Sequence, residues 1–122
     1  MQYSTTEGVQ GICPTGFHIP TDAQYTTLTT YLGGESFAGD KMKSAGLCQG
    51  RTPCGTSGFN SLLGGYSAGG SWNNLGSYGT FWSSSQYDAS NAWGRYLNLT
   101  DAQVGRGGSG KTYGFSVRCL KN

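Results

Sequence analysis

The sequence predicts an α+β domain in which two helices pack on a small, twisted antiparallel sheet, with a long irregular segment between them. Three observations carry this expectation. Apolar residues recur at helical spacing in the first third of the chain, the middle is crowded with Gly, Ser and Asn, and from residue 79 onward bulky residues alternate with small ones at the period of a strand.

After the turn CPTGFHIP, Thr21 or Asp22 is placed to cap a helix whose first turn includes Gln24, the arrangement of a capping box. Tyr25, Leu28 and Leu32 then repeat along one face, and Gly33 and Gly34 end the helix. A second, shorter helix fits FAGDKMKSAG, residues 37–46, with Phe37, Met42 and Ala45 facing inward and Gly46 as its stop. The stretch 47–79 reads as loop and turn. Strands are expected at GTFWSSSQ, at NAWGRYLNLT, at a short QVGR and at YGFSVRCL. In the last of these, Phe115, Val117 and Cys119 share an apolar face, while Ser116 and Arg118 take the other. Trp82, Trp93, Leu97, Phe115 and Val117 are expected to hold the sheet together.

At 122 residues the chain suits one domain with a real core. Its 22 glycines, abundant Tyr and Trp, and only 11% charged residues describe a loop-rich protein displaying aromatic and hydroxyl groups, as antibody-like binding surfaces do. The net charge of +2 is scattered, with no basic run, which argues against nucleic acid or an anionic membrane as the main partner. Lys41, Lys43, Arg95, Arg106, Lys111, Arg118 and Lys121 read as solvated charges or structural hydrogen-bond donors. No apolar run approaches the ~20 residues of a membrane helix, so direct membrane insertion of this domain is not expected. The N-terminal MQYSTTEGVQ lacks the features of a signal peptide.

Four cysteines, Cys13, Cys48, Cys54 and Cys119, show no CxxC spacing and no second His that would complete a zinc site. Their even number favours two disulfides and an oxidising compartment, with free buried thiols as the alternative. The natural pairing is Cys48 with Cys54 around a short loop and Cys13 with Cys119 across the ends of the domain. Since export then needs a signal the sequence does not display, the chain is expected to be a piece of a longer exported protein. Residues 1–8 would be its N-terminal flank and residues 9–122 the ligand-binding domain.

CPTGFHIPTDAQYTTLTTYLGG, GFNSLLGGYSAGG, FWSSSQYDASNAWGRYLN and GFSVRCLKN together resemble the Fibrobacter succinogenes major paralogous domain, a bacterial surface module, from about residue 9 to the C-terminus. The resemblance implies a version of the C-type lectin fold and kinship with the variable proteins of diversity-generating retroelements. It also implies the disulfide pairing above, an extracellular or cell-surface location, and binding rather than catalysis. In diversified relatives, the segment before GFSVRC varies at the adenines of Asn-type codons. By that resemblance Gly94, Leu99, Thr100, Asp101, Gly105, Gly107, Gly108 and Ser109 are variable ligand-binding positions. Each is reachable from AAC or AAT by changing the first two bases, whereas Gln103 is not. Tyr78, Tyr87, Asn91, Tyr96 and Asn98 complete the expected binding surface, and Tyr66 and Tyr113 would add contact area if exposed.

The expected partner is a macromolecule, either a protein or a cell-surface glycan. The alternative is a fixed-specificity adhesion or glycan-binding module that stacks sugar rings on Trp72, Tyr78 and Tyr87. No cofactor, metal or catalytic residue is expected. His18 lacks a positioned nucleophile and reads as structural. Trp72, Asn73 and Asn74 resemble part of the calcium motif of animal C-type lectins but lack its Asp, and the six acidic residues are dispersed. The sequon at Asn98 to Thr100 is incidental in a bacterial protein. The C-type lectin fold also hosts formylglycine-generating enzymes, and an enzyme reading would have to recruit Cys48 and Cys54, the more exposed-looking pair, as redox thiols.

Overall fold

The computed structural model describes residues 6–122, so residues 1–5 of the expected flank lie outside the described residues. The element order is β1 (Phe17–His18), α1 (Asp22–Tyr31), α2 (Glu35–Met42), β2 (Tyr66–Ala68), β3 (Ser71–Asn73), β4 (Tyr78–Gln86), β5 (Asn91–Asn98), β6 (Val104–Gly110) and β7 (Leu120–Lys121). Three antiparallel sheets result: β1 with β7, β2 with β3, and a central sheet in the order β4-β5-β6. This is an α+β fold with two helices, as the sequence predicts.

α1 begins where its capping box requires. Thr21 Oγ1 accepts from Gln24 N–H at 3.1 Å, and Gln24 Oε1 accepts from Thr21 N–H at 2.9 Å, which satisfies two of the donors a helix start leaves open. α2 departs from its expected limits. It starts at Glu35 and ends at Met42, because Lys43 turns to extended backbone. Phe37 is 65% exposed and Ala45 is exposed beyond the helix, while Ala38 and Met42 point inward. The cause is Gly39, whose N–H donates to Ala102 O at 2.8 Å and which packs backbone to backbone on residues 102–103. That close approach sets which face of α2 is buried.

The hydrophobic core lies between the helices and one face of the central sheet. It joins Tyr25, Leu32, Ala38 and Met42 to Leu63, Phe81, Leu97 and Val104. Register explains the sheet's share: Phe81 pairs with Arg95 and Leu97 with Val104, so these side chains emerge on the helix-facing side. Arg95 is fully buried there, donating to Asp22 Oδ1 at 2.6 Å and to Thr26 Oγ1 at 3.1 Å. Lys43 is fully buried as well. Both are structural donors rather than solvated charges.

Three strand assignments change. β6 runs on through GRGGSG, where QVGR alone was expected, because pairing with β5 from Leu97↔Val104 to Asn91↔Gly110 outweighs the poor strand propensity of glycine. The segment 47–79 contains a hairpin, β2–β3, turned by Gly69 and Gly70, both at positive φ as a two-residue hairpin turn demands. YGFSVRCL is no continuous strand. Gly114 bridges Ser67, Ser116 bridges Phe81, and only the end joins β1, because the segment crosses from one sheet to the next and divides its backbone hydrogen bonds among them.

Both expected disulfides are formed, Cys13 with Cys119 and Cys48 with Cys54, which removes the free-thiol alternative. Cys48 is only 2% exposed, so the pair is less open than its loop suggests. At the start of the described chain, Gly8 N–H donates to Ser84 Oγ at 2.8 Å. Among the described residues no helix is long and apolar enough to cross a membrane.

Candidate functional site

Alternation along β5 sends Trp93, Arg95 and Leu97 toward the helices and Gly94, Tyr96 and Asn98 to the opposite face. On that outer face Gly94 stands between Trp82 and Gly107, Tyr96 between Thr80 and Gly105, and Asn98 opposite Tyr78. The β2 strand and the chain around residues 113–115 rise beside it. Together they enclose a cleft of about 300 Å³ with Tyr66, Tyr78, Tyr96 and Tyr113 as walls, Phe115 among them, and Asn74, Thr80 and Ser109 as its polar groups.

Phe115 organises the aromatic side chains. It stacks on Trp82 with ring centres 4.2 Å apart and meets Tyr66, Tyr96 and Tyr113 at 6.2, 5.9 and 6.3 Å in edge-on geometry. Tyr66 and Tyr113 stack at 6.4 Å. Such offset and edge-on pairs add to the stability of each ring's position. Tyr96 Oη donates to Gly107 O at 2.9 Å and lies 2.8 Å from Ser109 Oγ. Burial pushes the Tyr96 phenol pKa up, and the Ser109 hydrogen bond and the Arg95 charge offset this only in part, so the ring stays neutral. The cleft thus presents hydroxyls, amides and aromatic faces without a charged side chain in its lining.

The glycines beneath Tyr96 have a steric role. A Cβ on Gly105 or Gly107 would sit 3.2 and 3.3 Å from the Tyr96 ring, and one on Gly94 would sit 3.2 Å from Tyr96 Oη and from Phe81 O. These three positions form a flat bed on which the Tyr96 ring lies. Gly108 faces the other way, and a Cβ there would come within 2.8 Å of Tyr87, whose ring meets Trp93 edge-on at 4.6 Å. Arg106 caps that same Trp93 at 3.7 Å and binds Asp22 at the start of α1.

The expected binding residues are therefore divided. Tyr78, Tyr96 and Ser109 line the cleft, and Gly94, Gly105 and Gly107 support it from below. Tyr87 and Gly108 belong to the opposite face of the sheet. Asn91 is held by Asp88, to which its Nδ2 donates at 2.9 Å, in the turn between β4 and β5. At the other end of the sheet Asn98 Oδ1 accepts from Thr100 N–H at 3.0 Å, Leu99 packs against the core, and Asp101 O accepts from Lys43 Nζ at 2.7 Å. Residues 98–101 are a braced turn outside the cleft lining.

Thr80, Phe115 and Asn74 join the cleft without having been singled out as contact residues. Alternation from Tyr78 is the available signal for Thr80; Asn74 stands out in the sequence only within the incomplete calcium-like motif, which does not point to this cleft. Trp72 is 62% exposed on β3, where it pairs with Ser67 and so points away from the face carrying Tyr66 and Asn73. Trp72, Tyr78 and Tyr87 are thus not brought together. The ring nitrogens of His18 lie 2.6 and 3.0 Å from the side chains of Asn122 and Gln24, which joins β1 to the C-terminus and α1. Among the described residues no group of three His, Cys, Asp or Glu side chains converges.

No curated protein and no solved structure matches the chain significantly. One family model does, that of the Fibrobacter succinogenes major domain, over residues 2–121. With nearly its whole length matched, and with the two disulfides and the α+β architecture in place, the chain belongs to the Fibrobacter succinogenes major domain family.

Proposed function

We propose that the chain is a non-catalytic ligand-binding domain of an exported protein, and that it meets an uncharged part of a protein or glycan at the tyrosine-walled cleft. The observation that carries this reading is the convergence of Tyr66, Tyr78, Tyr96 and Tyr113 on one uncharged cavity. Tyrosine supplies a large contact area at a small entropic cost, and Asn74, Thr80 and Ser109 add hydrogen-bonding groups at fixed places. The volume, about 300 Å³, is at the lower end for ligand pockets and suits one sugar ring or one inserted side chain. Two disulfides favour an oxidising compartment, hence export.

The finer part of the reading is that a retroelement diversifies this surface on a C-type-lectin-like scaffold. It is supported by codon reachability at Gly94, Leu99, Thr100, Asp101, Gly105, Gly107, Gly108 and Ser109 and by a core that rests on other positions, the buried Arg95, Leu97 and Val104 and the Cys13–Cys119 disulfide. Population sequencing of the locus tests it: substitutions would concentrate at adenines in codons 94–109, while Trp93, Arg95 and Gly114 to Cys119 stay constant.

The binding site itself is tested on a glycan and peptide panel with the parent domain and single variants. Binding lost with Tyr113→Ala or Tyr96→Ala and kept with Trp72→Ala and Tyr87→Ala assigns it to the cleft. Binding kept in both cleft variants and lost with Trp72→Ala would move the site to the exposed β2–β3 hairpin and favour the fixed-specificity glycan module.

A further inference from the structure

A second cavity, of about 330 Å³, shares no lining residue with the tyrosine cleft. It lies between α1, the loop at residues 57–59 and the C-terminal segment at residues 118–120. Its walls are mostly apolar, formed by Pro20, Leu28, Phe59, Leu120 and the Cys119 end of the long disulfide.

Two of the hydrogen-bond donors in this lining, one buried and one exposed, bear on what the cavity could hold. Tyr25 is 2% exposed, and its buried hydroxyl finds no partner. Buried hydroxyls are nearly always paired, since an unmade hydrogen bond costs the full desolvation of the group. Arg118 is the second. Its guanidinium lies over the Phe59 ring at 5.1 Å and makes no side-chain hydrogen bond or ion pair among the described residues. Arg118 is exposed at the rim of the cavity, so water serves its guanidinium there, whereas the fully buried Arg95 is anchored on Asp22 at 2.6 Å. Burial pushes the Tyr25 phenol pKa up, and the Arg95 and Arg118 charges offset only part of this, so Tyr25 remains a donor at physiological pH.

An exposed guanidinium at the rim and an unpaired buried phenol in the lining of one mostly apolar cavity match two oxygens carrying a single negative charge. We propose that this cavity binds a small carboxylate with an apolar body, its oxygens on Arg118 and the Tyr25 hydroxyl and its hydrocarbon against Leu28, Phe59 and Leu120. A carboxylate suits Arg because the planar guanidinium can donate two parallel hydrogen bonds to it. A multiply charged anion would need further cations, and Arg118 is the only one in the lining. The site is independent of the tyrosine cleft and stands or falls separately from it.

The test is a titration of the 15N-labelled domain followed by amide chemical shifts, with hexanoate and its neutral isostere hexanamide as probes. Hexanoate is expected to shift the amides of residues 24–28, 57–59 and 118–120 with a Kd of about 1 mM or tighter, as suits a ligand of this size. Hexanamide should bind about tenfold more weakly. Arg118→Gln and Tyr25→Phe should each weaken hexanoate while leaving the dispersion of the spectrum intact. Tyr25→Phe removes only an oxygen that the protein itself does not use, so its fold is not at risk. Equal binding of hexanoate and hexanamide, unchanged affinity in Arg118→Gln, shifts confined to residues 66, 96 and 113, or no shift at concentrations well above millimolar would each overturn the proposal.

The same carboxylate chemistry has two sources. A tripeptide ending in leucine, with a free or an amidated C-terminus, separates them. Tighter binding of the free peptide than of hexanoate assigns the cavity to polypeptide C-termini, and the reverse order assigns it to free acids.

Discussion

Replacing Asp40 with Asn should cost the domain about 3 to 5 kcal/mol, because it leaves a buried ammonium without its carboxylate. Lys43 is fully buried, and its Nζ donates to Asp40 Oδ1 at 2.8 Å and to Asp101 O at 2.7 Å. Arg51 reaches the same carboxylate, donating from Nε to Oδ2 at 2.7 Å and from Nη2 to Oδ1 at 3.0 Å, and then passes on to Leu99 O at 2.9 Å. One carboxylate thus ties α2 and the Cys48–Cys54 loop to the turn at residues 98–101. At roughly 0.05 to 0.15 kcal/mol per residue, a chain of 122 residues has about 6 to 18 kcal/mol of stability, so the loss is a large share. It corresponds to a Tm lower by about 12 to 20 °C at about 4 °C per kcal/mol. The assay is urea unfolding of Asp40→Asn, Lys43→Met and the double variant at pH 7 with both disulfides intact. Lys43→Met removes the charge that needs neutralising and leaves Asp40 with Arg51, so it should cost less. Asp40→Asn should then cost at least about 2 kcal/mol less in the Lys43→Met background than in the parent. A loss below about 1 kcal/mol for Asp40→Asn, or an equal loss in both backgrounds, would refute the reasoning.

Acid should weaken the domain through the same groups. Burial raises the pKa of Asp40 and of Asp22, but hydrogen bonds from Arg51 and Lys43 to the first, and from Arg106 and Arg95 to the second, outweigh it and hold both below the ordinary 3.8. Their contribution is complete above about pH 4, where the unfolded groups are ionised, and is lost as pH falls through the folded values. Urea midpoints should therefore be level from about pH 6 to 4.5 and fall below about 4, less steeply in Asp40→Asn. The two disulfides should differ in worth. With sequence separations of 106 and 6, the chain-entropy relation gives about 4.8 kcal/mol for Cys13–Cys119 and about 2.2 for Cys48–Cys54, read from denaturation of the paired Ala variants. Gly39→Ala should be severe, since its Cβ would overlap the carbonyl of Gln103, whereas Gly16→Ala, with open space around it and φ +88°, should cost only about 1 to 2 kcal/mol; thermal unfolding separates them. Gly107→Val should lose about 1 to 3 kcal/mol by lifting the Tyr96 ring, and most of that loss should vanish in a Tyr96→Ala background.

Local chemistry was legible in the chain. Thr21 and Gln24 specify the start of α1 through hydrogen bonds only three residues apart, and the alternation of bulky and small residues at 79–86 and 91–98 marks β4 and β5 without reference to anything distant. The cysteine count and spacing likewise led to the two disulfides that the fold contains. The fate of the remaining segments depended on partners far along the chain. GRGGSG becomes a strand because β5 offers it a register and because bare glycine backbone lets the Tyr96 and Tyr87 rings lie flat on it. YGFSVRCL, which alternates well, is denied a strand because its hydrogen bonds go to three different elements. Phe37 is outside and Ala38 inside because Gly39 brings α2 against the backbone of residues 102–103. The tyrosines could be counted from the sequence, but only the twist and register of the sheet decide that Tyr66, Tyr78, Tyr96 and Tyr113 share one cleft while Tyr87 lies on the reverse face. The side-chain period along a strand is a local property and therefore readable; which face turns toward the helices, and which segments meet across it, is settled by burial of the core as a whole.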